Sequence, residues 1–167
     1  MIVVLRVLAL LLFIIIAASA LWILFVNLTN REGSMWYGGR PSSLGLKDGK
    51  LGGPKKTPNS VVSEGVDATH PAYIAPIKFS GDPAAAWARF GDVVKALDRV
   101  TVHTSDGAYL YAEFRTAKMR YVDDFEARLD AAAGVIHVRS ASRLGKRDFD
   151  VNRSRVEMIR KKFSAAS

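Results

Sequence analysis

The sequence predicts an α+β domain that follows a transmembrane helix and a segment rich in glycine and proline. Three observations point to this class. Twenty consecutive uncharged residues lie near the N-terminus, glycine and proline concentrate after them, and the C-terminal part shows the pattern strand, helix, four strands, helix. Strands that are apolar on one face need a cover, which two amphipathic helices can supply. We therefore expect an antiparallel sheet of about five strands with both helices packed on one face.

The uncharged stretch runs from Val7 to Val26. At about 1.5 Å per residue, a helix of this length spans about 30 Å, the thickness of the hydrocarbon core of a bilayer. Two interpretations are open: a retained anchor over residues 1–28, or a cleaved secretory signal ending at Ala18-Ser19-Ala20. The apolar run continues past Ala20 to Val26, further than a signal normally does, and this favours the anchor.

Residues 29–72 are predicted to form an irregular segment. The stretch from Thr29 to Pro71 holds eight of the thirteen glycines and four of the six prolines, which is typical of chain without regular structure. The α+β domain is then expected over residues 73–167. Its first elements are a short strand at residues 74–79 and a helix at residues 83–97, for which Asp82 is the expected N-cap.

Period-two alternation predicts the rest of the sheet. We expect strands at residues 99–104, 108–115, 120–130 and 135–142, and a closing helix at about residues 150–164. One face of these strands is apolar, and the other carries charged side chains. The residues of the charged face are Glu113, Arg115, Asp124, Glu126, Arg128, His137 and Arg139.

The charged face has two interpretations. It is either a ladder of cross-strand ion pairs facing solvent, or a polar groove for an anionic head group or a charged segment of a partner. On the first interpretation, the substitution Glu126→Ala should barely change stability. Asp123 stands apart because alternation places it on the apolar face, where a carboxylate needs a partner. Asn152, Arg153 or Arg155 of the closing helix are the candidates, and Asp123→Ala should cost about 3–5 kcal/mol if a buried charge is left unpaired.

Composition limits the chemistry. The net charge is +8, and residues 143–162 hold eight basic and three acidic residues, which suits either a solvated helix face or contact with anionic lipid. No aromatic-rich binding strand or zinc-ligand spacing accompanies this charge, so nucleic acid is not an expected partner. The chain has no cysteine, and none of the familiar catalytic, phosphate-binding or metal-binding motifs. We therefore expect no catalytic residue, cofactor or metal site.

Several short motifs match one known family. They include Arg40-Pro41, Thr57-Pro58-Asn59-Ser60, residues 121–129 (YVDDFEARL), residues 136–143 (IHVRSASR) and Val151-Asn152-Arg153. On these motifs the chain resembles the bacterial Domain of Unknown Function 1499 family over roughly residues 40–163. Many members have a cysteine where this chain has Ser60, so a cysteine-dependent role for that loop is not expected here. The resemblance implies an exported domain without an established activity.

The resemblance also implies that three of these motifs converge in one polar cluster. Its expected members are Asp123, Asp124, Glu126, Arg128, His137, Arg139, Arg143, Asn152 and Arg153. Four arginines are candidates for binding an anion, namely Arg115, Arg139, Arg143 and Arg153.

From these features we expect a non-enzymatic, single-span protein of the bacterial inner membrane with its C-terminal domain in the periplasm. The domain would act as an accessory, scaffolding or assembly subunit beside an integral membrane protein. One alternative is a binding domain for an anionic lipid or metabolite. Another is a hydrolase-type enzyme that uses Asp123, Asp124 and His137 as acid or base.

Overall fold

A computed structural model describes residues 2–29 and 38–166. The chain divides into two compact units, Met1–Gly39 and Arg40–Ser167. The first unit contains helix α1, Ile2–Thr29. Its stretch Arg6–Phe25 has a mean hydropathy of 3.0 and is long and apolar enough to cross a membrane. The predicted N-terminal apolar helix is thus confirmed, and its length and composition fit either a membrane anchor or an export signal.

The second unit is an antiparallel sheet with two helices, which confirms the α+β class. Its elements are β1 (Ser60–Val62), β2 (Ile77–Lys78), α2 (Pro83–Lys95), β3 (Val100–Asp106), β4 (Tyr109–Arg115), β5 (Val122–Asp130), β6 (Val135–Ser142) and α3 (Val151–Ala165). The strand order is β1-β6-β5-β4-β3, and β2 also pairs with β6. The sheet therefore has six strands, one more than the sequence predicts.

The extra strand, β1, lies inside the segment predicted to be irregular. It pairs antiparallel with β6, with Val61 opposite Ser140. The second unit thus begins at Arg40, and the predicted boundary at residue 73 is wrong. A strand of three residues is too short to show alternation in a glycine-rich and proline-rich context, which explains the error. Residues 30–37 of the predicted segment lie outside the described residues.

The apolar core lies between the sheet and the two helices. Asp82 caps α2 as predicted, because its Oδ2 accepts a hydrogen bond from the Ala85 N–H at 2.7 Å. Phe90 of α2 is fully buried, 6.5 Å from Phe125 of β5 and 5.9 Å from Phe163 of α3 between ring centroids. Both helices therefore cover one face of the sheet, as predicted.

The opposite, charged face has a cover of its own. Residues 40–64 are called here the cover segment. Most of it lies over strands β4 to β6, and near its end it forms β1, which belongs to the sheet. The Gly45 N–H donates to Glu126, the carbonyl of Gly53 accepts from Arg139, and Glu64 pairs with Arg128. The charged face is consequently buried, and its interpretation as an ion-pair ladder facing solvent is wrong.

Candidate functional site

Strand register brings the charged side chains together. Glu113 of β4 lies opposite Asp124 of β5, and Glu126 lies opposite Arg139 of β6. Directly opposed residues of antiparallel strands project from the same face with their side chains in contact. The sequence alternation therefore places these groups in one buried layer beneath the cover segment.

Arg143 lies at one end of this layer, one residue beyond the end of β6. Its side chain is only 3% exposed. The Nε atom lies 3.1 Å from both carboxylate oxygens of Asp124, and Nη2 donates to Glu113 and to the Tyr111 hydroxyl. Burial alone would lower the pKa of Arg143, but the hydrogen bonds to Asp124 and Glu113 raise the pKa above its ordinary value. One guanidinium thus neutralises two buried carboxylates in part.

Glu113 receives a second cation from the cover segment. Arg40 donates to Glu113 Oε1 through Nη2 at 2.9 Å and through Nε at 3.2 Å. On the other side, His103 Nε2 lies 3.3 Å from Glu113 Oε2. Burial would raise the pKa of Glu113, but hydrogen bonds from Arg143 and Arg40 outweigh it and lower the pKa to about 2. Glu113 is therefore ionised at neutral pH.

Glu126 is completely buried and makes three hydrogen bonds. Its Oε2 accepts from Arg139 Nη1 at 2.8 Å, and its Oε1 accepts from the Gly45 N–H and the Tyr109 hydroxyl, each at 2.8 Å. Removing this side chain would leave the buried charge of Arg139 without a partner. The expectation that Glu126→Ala barely changes stability is therefore wrong for this structure.

Arg128 holds the far end of the cover segment through Glu64. The pair is bidentate, with Nε–Oε1 at 2.9 Å and Nη2–Oε2 at 2.7 Å. Glu64 also accepts from the Leu51 N–H at 2.9 Å. Burial would raise the pKa of Glu64, but the hydrogen bonds from Arg128 and Leu51 lower it below its ordinary value. Nearby, His137 Nδ1 lies 3.2 Å from the Ser63 hydroxyl.

A second polar network lies on the helix side of the sheet. Asp123 accepts from Arg155 Nη2 at 2.5 Å, so Arg155 is the partner among the three that the sequence allows. Arg155 Nη1 also donates to Ser140 and to Asn152. The Asn152 amide in turn donates to the Ser142 hydroxyl at 2.9 Å. This network joins the start of α3 to β5 and β6.

The predicted single polar cluster is therefore two networks on opposite faces of the sheet. Asp123 and Asn152 lie on the helix side, because adjacent residues of a strand point to opposite faces. Arg153 belongs to neither, since it donates to the backbone carbonyls of Pro71 and Tyr73. The remaining predicted members lie on the charged face, namely Asp124, Glu126, Arg128, His137, Arg139 and Arg143.

The four arginines predicted to bind an anion do not share a site. Arg139 pairs with Glu126, Arg143 pairs with Asp124 and Glu113, and Arg153 binds backbone carbonyls. Arg115 lies 3.6 Å from Glu113, and it lines a cleft that none of the other three reaches.

Sequence reasoning missed the cover segment's contribution. Arg40, Gly45, Gly53 and Glu64 all contact the charged face. Arg40-Pro41 stands out as a motif, but no local pattern indicates which strand it meets. Within residues 2–29 and 38–166, no group of three or more histidine or acidic residues is placed to hold a metal ion.

A surface feature adjoins the second network, whose Asp123, Ser142 and Arg155 line the clefts beside it. We call it the Phe149 surface, and it consists of the exposed apolar residues Tyr121, Leu144, Phe149, Val151 and Met158. Phe149 is 90% exposed. It lines two clefts, of about 300 Å³ and about 560 Å³. Sequence reasoning missed this surface because the loop before α3 has no periodic pattern.

Together these features define a small α+β domain in which the buried charged groups pair with one another. An apolar helix precedes it in the chain. The family model described as "Protein of unknown function (DUF1499)" matches residues 50–163, and the chain belongs to this family. The resemblance seen in the sequence motifs is thereby confirmed. No curated protein and no solved structure shows a significant match to the chain.

Proposed function

We propose that the protein is a single-span protein of the bacterial inner membrane whose periplasmic α+β domain is a non-enzymatic accessory subunit. In this proposal the domain binds an integral membrane protein through the Phe149 surface. The observation that carries it is the exposure of Phe149 in a strained backbone conformation beside two clefts.

The strain concerns two consecutive residues. Phe149 and Asp150 have φ angles of 52° and 62°, in the left-handed region that costs a residue with a side chain about 1–2 kcal/mol. Such strain persists where the surroundings impose it, and it concentrates at functional positions. Here Asp148 imposes it, since its carboxylate accepts from the Asn152 N–H at 3.0 Å and from the Asn152 side chain at 2.7 Å.

A fixed loop presents Phe149 before any partner arrives. A preorganised aromatic side chain loses little conformational entropy on binding, and buried aromatic residues dominate the affinity of many interfaces. Basic residues outnumber acidic ones by five to three in the lining of the two clefts beside the apolar centre, and the basic ones are Arg99, Arg115, Arg147, Arg155 and Lys162. An apolar centre with a polar rim is the usual anatomy of a protein interface. The expected partner therefore offers an apolar pocket edged by acidic residues.

The chemistry of the buried networks supports a non-enzymatic role. A general acid or base works best with a pKa near the operating pH and with access to substrate. Glu113 has a pKa of about 2, and Asp124 and Asp123 each pair with a buried arginine. For the hydrolase alternative, one of these carboxylates would have to lose its arginine partner before it could act as a general acid or base.

The test of the docking role uses a photoreactive phenylalanine analogue at position 149 of the full-length protein in native membranes. We expect it to cross-link to one integral membrane subunit in stoichiometric amounts. The matched control carries the same analogue at Leu46, which is exposed but lies outside the Phe149 surface. Cross-links to lipid alone, or the same products from both positions, would contradict the docking role.

A second pair of variants separates docking from folding. Phe149→Asp should lose the partner in a mild-detergent pull-down, whereas Leu46→Asp should retain it. Both variants should melt close to the wild-type temperature, because both positions are exposed. Equal recovery of the partner with both variants would overturn the assignment of the surface.

The membrane topology has its own test. A retained anchor requires the mature protein to keep residues 1–20, whereas a cleaved signal would leave a new N-terminus after Ala20. Mass spectrometry of the protein from the membrane fraction distinguishes the two. Because the chain has no cysteine, a single cysteine at Ser80 reports the side of the membrane, and an impermeant thiol reagent should label it in intact spheroplasts.

A further inference from the structure

The cover segment contains a strongly cationic cleft. It has a volume of about 560 Å³, and its charged lining residues are Lys47, Lys55, Lys56 and Arg139. No acidic residue of the described chain lines it. We call it the lysine cleft. It contains Arg139 but none of the other three arginines proposed from the sequence.

Local backbone structure builds the cleft. Lys47 and Lys50 exchange backbone hydrogen bonds of 2.9 and 3.0 Å across Asp48 and Gly49, whose φ angles are 52° and 73°. This two-residue turn holds Lys47 in place, since positive φ at both central residues is characteristic of tight hairpins. Gly52 and Gly53 follow, and they leave the cleft free of side chains at the point where the Gly53 carbonyl meets Arg139.

The three lysines of the cleft have no ion-pair partner among the described residues. Arg139 is paired with Glu126, but Lys47, Lys55 and Lys56 take part in none of the ion pairs of the described residues. Lys55 is held at the cleft by a hydrogen bond of 2.6 Å from its Nζ to the Ser142 carbonyl. Burial and the charge of Arg139 lower the pKa of Lys55 more than the charges of Asp124 and Asp123 raise it. A bound anion would relieve this repulsion.

A neighbouring cleft serves as an internal comparison. It has a volume of about 480 Å³ and shares Lys55 and Lys56 with the lysine cleft. Its lining also includes Arg153 and two acidic residues, Asp148 and Asp150, whose negative charges offset the cations in part. Of these two neighbouring clefts, the lysine cleft therefore carries the larger excess of positive charge.

We propose that the lysine cleft binds a phosphate group. Ammonium groups act as compact, strongly hydrated point charges, and several of them can share the oxygens of one phosphate. The bidentate fork of an arginine binds a carboxylate better than ammonium groups do. The arginine of the cleft, Arg139, already uses Nη1 for Glu126 and Nε for Gly53. The phosphate could come from a membrane phospholipid or from a soluble phosphate compound. The inference does not depend on the role of the Phe149 surface.

The test compares two charge-matched double variants of the full-length protein. Lys47→Gln/Lys56→Gln removes two charges from the cleft, and Lys118→Gln/Lys146→Gln removes two charges elsewhere. All four lysines are exposed, so both variants should fold. The readout is hydrogen-exchange protection of residues 47–57, measured in neutral detergent with inorganic phosphate and in nanodiscs of phosphatidylcholine with or without phosphatidylglycerol.

We expect protection in the wild type and in the control variant, and binding weaker by roughly tenfold or more in the cleft variant. Protection by inorganic phosphate in detergent would identify a soluble phosphate compound as the source. Protection only in nanodiscs that contain phosphatidylglycerol would identify a lipid head group. No protection under any condition, or equal weakening in both variants, would overturn the proposal.

Discussion

Arg143 reaches Glu113 across an intervening strand. Arg143 directly follows β6 and Glu113 belongs to β4. These strands are separated by β5 in the sheet, yet Arg143 Nη2 lies 2.5 Å from Glu113 Oε1. On the way the same guanidinium contacts Asp124 of β5. A single side chain thus ties three strands together at one end of the sheet.

Replacing this arginine should leave two carboxylates unpaired. We expect Arg143→Met to lower the free energy of unfolding by about 3–5 kcal/mol, the usual cost of breaking a buried ion pair. Urea denaturation followed by near-ultraviolet circular dichroism measures it. Arg147→Met is the control, because Arg147 is exposed, and it should change stability by less than about 0.5 kcal/mol. A loss below about 1 kcal/mol for Arg143→Met would show that the network contributes little.

Glu113 makes stability depend on pH. Its pKa is about 2 in the folded protein and about 4.3 in an unfolded chain. Because the folded-state pKa is the lower one, this stabilisation is present in full above pH of about 4.3 and is lost as the pH falls towards 2, by on the order of 3 kcal/mol. The difference in unfolding free energy between wild type and Glu113→Gln should therefore shrink over this range. A constant difference between pH of about 6 and about 2.5 would contradict the assignment.

Glu126 should prove important despite its place on the charged face. We expect Glu126→Ala to destabilise the second unit by about 3–5 kcal/mol, because Arg139 would keep a buried, unpaired charge. It should also loosen the cover segment, which loses the hydrogen bond from the Gly45 N–H. Limited proteolysis would then cut within residues 40–58 faster than in wild type. The exposed Glu157 supplies the control variant Glu157→Ala, which should be cut at the wild-type rate.

Asp123 should determine how firmly α3 is attached. The substitution Asp123→Ala leaves Arg155 unpaired and is expected to cost about 3–5 kcal/mol. Asp123→Asn should cost less, since an amide oxygen still accepts a hydrogen bond from Arg155. Hydrogen exchange along residues 151–165 would reveal the loosened helix. If both variants exchange like wild type, the pair with Arg155 does not hold the helix.

Phe149 should show a conflict between stability and binding. Glycine adopts positive φ without the penalty of a side chain, so Phe149→Gly should not lower the free energy of unfolding and should abolish partner binding. Thermal melting and the pull-down measure the two effects on one variant. Phe149→Ala, which keeps the strain but removes the ring, is the companion variant. Retained binding by both would show that the ring is not the anchor.

The sequence predicted well what local periodicity controls. Alternation identified β4 to β6 and their two faces, and the stripe of α2 placed Phe90 against the sheet. The requirement that a carboxylate on an apolar face be paired led to Asp123 and its partner in α3. These inferences needed only neighbouring residues and the rule that buried charges find partners.

What the sequence did not reveal depends on contacts distant in the chain. Alternation shows which residues share a face but not whether something covers it, and Gly45 meets Glu126 from 81 residues away. The three-residue strand β1 was missed for the same reason, because its partner β6 is distant in the chain. Resemblance to a family indicated which motifs matter but merged Asp123 and Asp124 into one cluster. The lysines of residues 47–56 were visible in the sequence, yet only their position around one cleft with Arg139 distinguishes them from solvated chain.

The cover segment also has a mechanical consequence. The backbone enters the second unit at Arg40, so tension applied to the chain from its N-terminal helix would load the contact between Arg40 and Glu113 first, and the hydrogen bond from Gly45 to Glu126 next. These contacts join side chains and isolated backbone groups rather than a continuous ladder of strand pairs. Under a pull, the part of the cover segment before β1 would detach before the sheet ruptures, and the charged layer beneath it would meet water while the core stayed folded.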